Sequence, residues 1–245
     1  MSDQPATPLL EGRRGDRDRR TLGWAAGGLT AAGLLVGLTV APPDAVQGQA
    51  QRFMYLHVPA AWTAYVAFFA VLVASGAYLV WSDSRWDRAA QAAAEIGLAA
   101  TVLSFAAGAV WGRLTWGVWW AWDPRIVSTA AMFLIYAAQL TLRRADADRR
   151  GAARRAAWLG VGGFTIVPVV HFSVVWWRSL HQQATILAPQ GSPPISGLML
   201  TALLLCVAAA TTIAGWLFLR RLAVLERRAG VRPAVSHPRP VVRSS

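Results

Sequence analysis

Five tryptophans, Trp111, Trp116, Trp119, Trp120 and Trp122, lie within twelve positions in WGRLTWGVWWAWDPR, residues 111–125, and Trp176 and Trp177 form a second group. An indole is a large apolar plane with one N–H donor. A dense run of them makes a flat apolar platform with a wet edge, suited to a large planar ligand. Gly112 and Gly117 would let the backbone turn or approach that ligand. Of the four histidines, His57 and His171 each border an apolar stretch, at similar depth but 114 positions apart. Neutral imidazole is a strong axial ligand for heme iron, and two of them over indole walls would hold a porphyrin without a covalent bond. His181 follows the second tryptophan group as a further candidate, whereas His237 sits in a polar tail.

Heme also carries two propionates, which a guanidinium fork matches. Arg52, Arg113, Arg125 and Arg178 are the candidates. Taken singly, each residue has a plainer reading. A histidine at an interface snorkels, a tryptophan joins an interfacial belt, and an arginine anchors to headgroups. Asp123 reads first as a helix cap. A belt, however, spreads its tryptophans over many helix ends, and here they crowd into one segment.

The elements that must position these residues are apolar. The chain of 245 residues is 55% hydrophobic. Six stretches, Leu22–Ala41, Ala60–Trp81, Ala89–Trp111, Ile126–Leu142, Ala156–Phe172 and Ile195–Leu219, are each long enough to cross a hydrocarbon core of ~30 Å, which takes ~17–25 helical residues. The expected fold is an all-α integral membrane protein. Its six-helix bundle spans residues 22–219 and carries a Trp-rich outer loop (111–125) between helices 3 and 4. Cytoplasmic tails cover 1–21 and 220–245. A cleaved signal peptide at Leu22–Ala41 is disfavoured, because the stretch exceeds the ~7–15 residues of a signal core.

All 24 basic residues are Arg, and the net charge is +12. Twenty of them fall in the N-terminal segment, the 82–88 and 143–155 loops and the tail from Arg220. The remaining four are Arg52, Arg113, Arg125 and Arg178. Short Arg-rich loops stay cytoplasmic, which places both termini inside and the tryptophans and paired histidines on the outer, periplasmic face of the membrane. That charge pattern argues against nucleic acid. The absence of Lys excludes a Walker A loop and a Schiff-base lysine. One cysteine, Cys206, excludes dithiol chemistry and reads as a small core residue.

Punctuation supports the spans. Pro42-Pro43 ends the first, Pro59 suits the first turn of the second, and Asp123-Pro124 reads as an N-cap followed by proline at N1. Gly33 and Gly37 permit close helix approach. Glu95 is an intramembrane carboxylate near the cytoplasmic end, a functional candidate by default.

The run WGVWWAWDPR resembles the tryptophan-rich WWD-domain signature of heme-handling proteins in cytochrome c biogenesis. YLHVPAAW (55–62) and PVVHFSVVWWRSLHQ (168–182) are similar to the flanking signatures of the C subunit family of cytochrome c maturation system I, heme exporter protein C. The match covers about residues 52–183. The resemblance implies that His57 and His171 are axial ligands of non-covalent, transiently held heme b. It also implies that Trp116 to Arg125, with Gly117 and Asp123, present the heme to a membrane-anchored heme chaperone. An ABC transporter pair and a small membrane subunit are the implied partners in the bacterial inner membrane. Such a protein delivers heme and is not an enzyme in the turnover sense. The competing classes are a cytochrome b-like electron-transfer protein with bis-His heme, which usually needs hemes at two depths, and a transporter passing heme through its own bundle. The few midplane polar groups beyond Gln139 and small hydroxyls give no evident path for propionates.

Overall fold

The computed structural model describes residues 8–143, 148–182 and 195–230. His237, the tail from 231 and much of the third outer segment (183–194) lie outside the described residues. The architecture is helical, and among the described residues the only extended pairing is an isolated bridge between Asp44 and Gly48. The helices are α1 (Pro8–Leu35, continued by a π-helical turn at Val36–Val40), α2 (Met54–Trp81, entered through a 3-10 turn at Gln49–Phe53) and α3 (Ser84–Trp116). They continue with α4 (Pro124–Leu142), α5 (Arg149–Gly163), α6 (Ile166–Trp176) and α7 (Gly197–Arg228). Six helical segments are long and apolar enough to cross a membrane; four contain an expected stretch whole, and the first and last fall one residue and two residues short of theirs, at Ala41 and at Ile195–Ser196. The fold is a six-span helical membrane bundle.

Three local expectations change. The fifth span is two helices, because Phe164 and Thr165 close with short i→i−3 hydrogen bonds to Val161 and Gly162. Pro168 explains the break: it has no N–H to offer the Phe164 carbonyl, and its ring would clash there. The second helix begins at Met54, so His57 lies in its first turn and Pro59 lies inside the helix, past the first turn. The third helix runs to Trp116, where Gly117 at φ +77° ends it. The Trp-rich segment is therefore divided. Trp111 and Trp116 are helical, while Trp119, Trp120 and Trp122 occupy the short connection to α4.

The tightest pairing is the α2–α3 hairpin, turned by Ser82 in the left-handed region and capped by Asp83. Its core is shared with α4 and α6: Phe68 stacks on Tyr136 at 3.7 Å, with Val71, Met132 and Val170 buried around them. α1 lies against α7 where Gly33 meets Cys206; a Cβ at Gly33 would come within 2.8 Å of that sulfur. The expected close approach is realised, and Cys206 is buried. At the Arg-rich end, ion pairs tie the helices together. Arg143 on α4 binds Asp87 on α3. Arg221 on α7 grips Glu95 on α3, with a second contact of 2.8 Å and Gln91 adding a third at 3.1 Å. The intramembrane carboxylate is thus a helix–helix tie.

Candidate functional site

At the opposite end of the bundle, α2, α3, α4 and two connecting segments enclose a cavity of about 380 Å³. That volume is within the ~300–1,000 Å³ range of small-molecule pockets. His57 enters from the first turn of α2, Ser104 and Trp116 from α3, and Arg125 from the first turn of α4. Trp119 and Trp120 come from the 117–123 connection, and His181 from the segment after α6. The rest of the wall is largely Ala, Phe and other apolar groups. His57 fits beside α3 because residue 108 is glycine: a Cβ there would lie 2.8 Å from the imidazole Cε1.

Hydrogen bonding sets both rings in one sense. The Nδ1 of His57 is 2.9 Å from the Ser104 carbonyl oxygen, which can only accept, so that nitrogen carries the proton. The Nδ1 of His181 is 3.0 Å from Oδ1 of Asp123. Burial pushes the His181 imidazole down to about 4 against the pull of the Asp123 carboxylate, with Arg125 and His57 adding to the depression. The ring is therefore neutral at pH 7 and donates from Nδ1. In each ring the Nε2 lone pair remains. A metal-binding histidine characteristically donates its other N–H to a carbonyl or carboxylate in this way.

Asp123 organises this side of the site. It caps α4 by accepting the Arg125 N–H at 2.9 Å, as its sequence context predicts, with Pro124 following. It also accepts from the Ser179 hydroxyl at 2.8 Å and the Leu180 N–H at 2.6 Å. Burial alone would raise this carboxyl, but the Leu180, Ser179 and Arg125 donors and His181 outweigh it and hold it below its usual value. One buried carboxylate thus fastens the chain after α6 to the start of α4. Trp116 then meets His181 edge-on at 5.0 Å.

The other expected residues divide clearly. Arg125 lines the cavity; one guanidinium nitrogen donates to the His171 carbonyl at 2.9 Å, and its buried Nε has no partner. Arg52 is committed to the Gly37 carbonyl at 2.6 Å, and Arg113 to that of Gly117. Arg178 is exposed beside a separate shallow depression with Trp122 and Asp123. Trp111 is not in the wall, but it touches His57 edge-on at 5.8 Å and donates to Gln47 at 2.9 Å. Trp122, Trp176 and Trp177 face outward. His171 is not in the cavity lining; its ring packs edge-on against Tyr65 and Phe172. The sequence ranks His181 behind His171 and gives Asp123 a capping role first, with a place in the heme-presenting segment implied by the resemblance. Only the fold brings residues 123 and 181 together.

This is a six-span membrane protein with a cavity near one end, roofed by indoles and flanked by two neutral imidazoles and a cation. The chain belongs to the heme exporter protein C family, whose profile it matches over residues 11–234. It is 38% identical over 193 residues to heme exporter protein C of Haemophilus influenzae, covering 79% of this chain and 78% of the relative. Identity to the protein of the same name from Bradyrhizobium diazoefficiens is 38% over 192 residues, or 77% and 73% of the two chains. A putative cytochrome c biosynthesis ccmC-like mitochondrial protein of Marchantia polymorpha is 34% identical over 158 residues, 64% of this chain and 67% of that one.

Proposed function

We propose that this protein binds heme in the cavity between His57 and His181 and passes it to a membrane-anchored heme chaperone during c-type cytochrome biogenesis. The observation that carries the reading is the matched pair of imidazoles. They come from positions 124 apart and line one cavity, each with Nδ1 committed to an acceptor and Nε2 left for a metal. The residues fit heme in other respects as well. The indoles of Trp116, Trp119 and Trp120 and the apolar wall suit the ring. The unpartnered Nε of Arg125 suits a propionate. The second ligand in this reading is His181, not the expected His171, whose ring does not line the cavity. The described histidines all lie at one end of the bundle, which supports heme handling at one face over electron transfer between hemes at two depths.

The test is the absorption spectrum of detergent-purified protein, as isolated and reduced. Two imidazoles give a six-coordinate, low-spin heme. His57→Ala and His181→Ala should each abolish that spectrum or convert it to a high-spin form, with partial rescue by added imidazole. His171→Ala should leave the low-spin bands in place. A normal spectrum in His181→Ala, or loss confined to His171→Ala, would overturn the pairing.

The sidedness of the site follows from charge: the cavity end carries few arginines and the other end most of them, so the cavity faces the periplasm and both termini the cytoplasm. A reporter active only in the periplasm should be silent when fused after Leu225 and active when fused at Gly191. The reverse pattern would remove the site from the face where a chaperone could reach it.

A further inference from the structure

The cavity is deeper than a site at a helix end requires. Its lining on α3 runs from Trp116 to Thr101, about 22 Å at ~1.5 Å per helical residue. A hydrocarbon core is ~30 Å thick, so the floor lies well inside the bilayer. It is also open sideways. Leu134, near the middle of α4, lines the cavity and is nevertheless 65% exposed on the outer surface of the bundle. Phe105 and Ala109 on α3 and Ala130 on α4 line it between there and the helix ends, and none of the three is fully buried. α3 and α4 touch each other much less than α2 and α3 do, and the Arg143–Asp87 pair joins them at the far end. The water-side approach, by contrast, is built over by Trp116, Trp119, Trp120 and the segment latched to Asp123.

We infer that heme enters this cavity sideways, out of the bilayer lipid, through the cleft between α3 and α4. The inference rests on the proposed heme-binding reading and adds the source and direction of the cargo. The chemistry of the wall agrees. Protoporphyrin is amphiphilic: its ring belongs among acyl chains and its propionates at headgroup depth. In the cavity the apolar floor lies deep, while Arg125, with its free Nε, lies in the first turn of α4 at the membrane boundary. A heme sliding in from lipid keeps that orientation throughout. Transfer from acyl chains to an apolar wall yields little hydrophobic gain, since lipid is as apolar as the wall. Retention must therefore come from the iron–imidazole bonds and the guanidinium. That makes the site selective: acyl chains fill the empty cleft, and only a metalloporphyrin displaces them.

The experiment uses the full chain in phosphatidylcholine proteoliposomes, with hemin supplied either dissolved in the bilayer or bound to albumin in the water phase. Loading is followed by the Soret change. Ala106 on α3 and Val127 on α4 are exposed and flank the cleft without lining the cavity. The double variant Ala106→Trp, Val127→Trp should slow loading from the bilayer at least ten-fold, and the end-point spectrum should match wild type. An unchanged rate from the bilayer, or slowing only of the albumin-supplied arm, overturns lateral entry. Should the variant never load, a photoreactive benzoylphenylalanine at Ala109 decides. Lateral access requires a lipid adduct in the heme-free protein that disappears on heme addition, and no adduct refutes it. Should wild type take up no heme, the binding proposal fails, while the adduct at position 109 still reports whether the cleft admits lipid.

Discussion

The two ends of the bundle use their polar groups differently. At the Arg-rich end the acids visible on α3 have cationic partners on other helices: Asp87 holds Arg143 and Glu95 holds Arg221. At the cavity end, Arg52 and Arg113 are spent on backbone carbonyls, and Asp123 uses both oxygens within the protein. Yet the Nε of Arg125 and one nitrogen of each cavity imidazole remain without a partner among the described residues. Leaving buried polar groups unmet costs stability, so such groups in a native fold point to something that completes them. Buried nitrogens of Arg88 and Arg143 are also unmet at the Arg-rich end, so what sets the cavity end apart is a pair of imidazole lone pairs facing one cavity, kept for a guest.

The largest effect that sharpens this contrast should come from Asp123→Asn. Asparagine still caps α4, because its carbonyl oxygen accepts the Arg125 N–H. Its NH₂ group, however, cannot accept from Ser179 or Leu180, so the latch loosens and His181 loses its charged acceptor. Removing such a supporting partner typically weakens metal binding ~10–100-fold. Heme titration should show a drop of that order, with the helical circular dichroism unchanged. Should the affinity stay within about two-fold of wild type, Asp123 would be a cap and nothing more.

A smaller effect, of a different kind, is expected at the other end. Glu95→Gln leaves Arg221 without its carboxylate in a partly buried setting. Its cost lies between that of an exposed and a buried pair, about 1–2 kcal/mol. The thermal midpoint in detergent should fall by a few degrees while the heme spectrum keeps its low-spin form. The double variant Glu95→Gln, Arg221→Gln should recover part of the loss, since no lone charge remains. A changed heme spectrum in Glu95→Gln would break the comparison, because it would couple the closed end to the open one.

The contrast also shows what the sequence could express. Apolar runs of about 20 residues are local and announce the spans, and the arginine asymmetry announces two unlike ends. The paired character of Glu95 was not legible, because its partner lies 126 positions away. Which of His171 and His181 would come to line the cavity was equally hidden. The two lie ten residues apart, and their fates diverge because α6 ends at Trp176 and the chain beyond it folds back onto Asp123. The overrun of α3 to Trp116 had a local cue in Gly117, whose positive φ terminates the helix. In the sequence the same glycine reads as a tight turn or a close approach to a ligand within a loop. The break at Phe164 also had a local cue in Pro168.

The smallest effect on heme itself should come from Trp122→Ala, and it separates holding heme from passing it on. Trp122 belongs to the same run as Trp119 and Trp120, but it is 84% exposed and absent from the cavity wall. It meets Trp120 edge-on at 5.8 Å and borders the depression that contains Arg178. Exposed tryptophans beside an arginine are typical anchors of protein–protein interfaces. The Trp122→Ala protein should keep the wild-type spectrum and bind heme about as well, because the side chain lines none of the cavity. Covalent heme on a co-expressed chaperone should nevertheless fall several-fold. Trp119→Ala and Trp120→Ala, which thin the cavity roof, should instead lower heme content before any transfer is measured. If all three variants lose heme together, the run acts as one platform, and the division between roof and docking surface is wrong. If Trp122→Ala loads the chaperone normally, the partner meets this protein elsewhere, and the exposed indole is an interfacial anchor in the membrane.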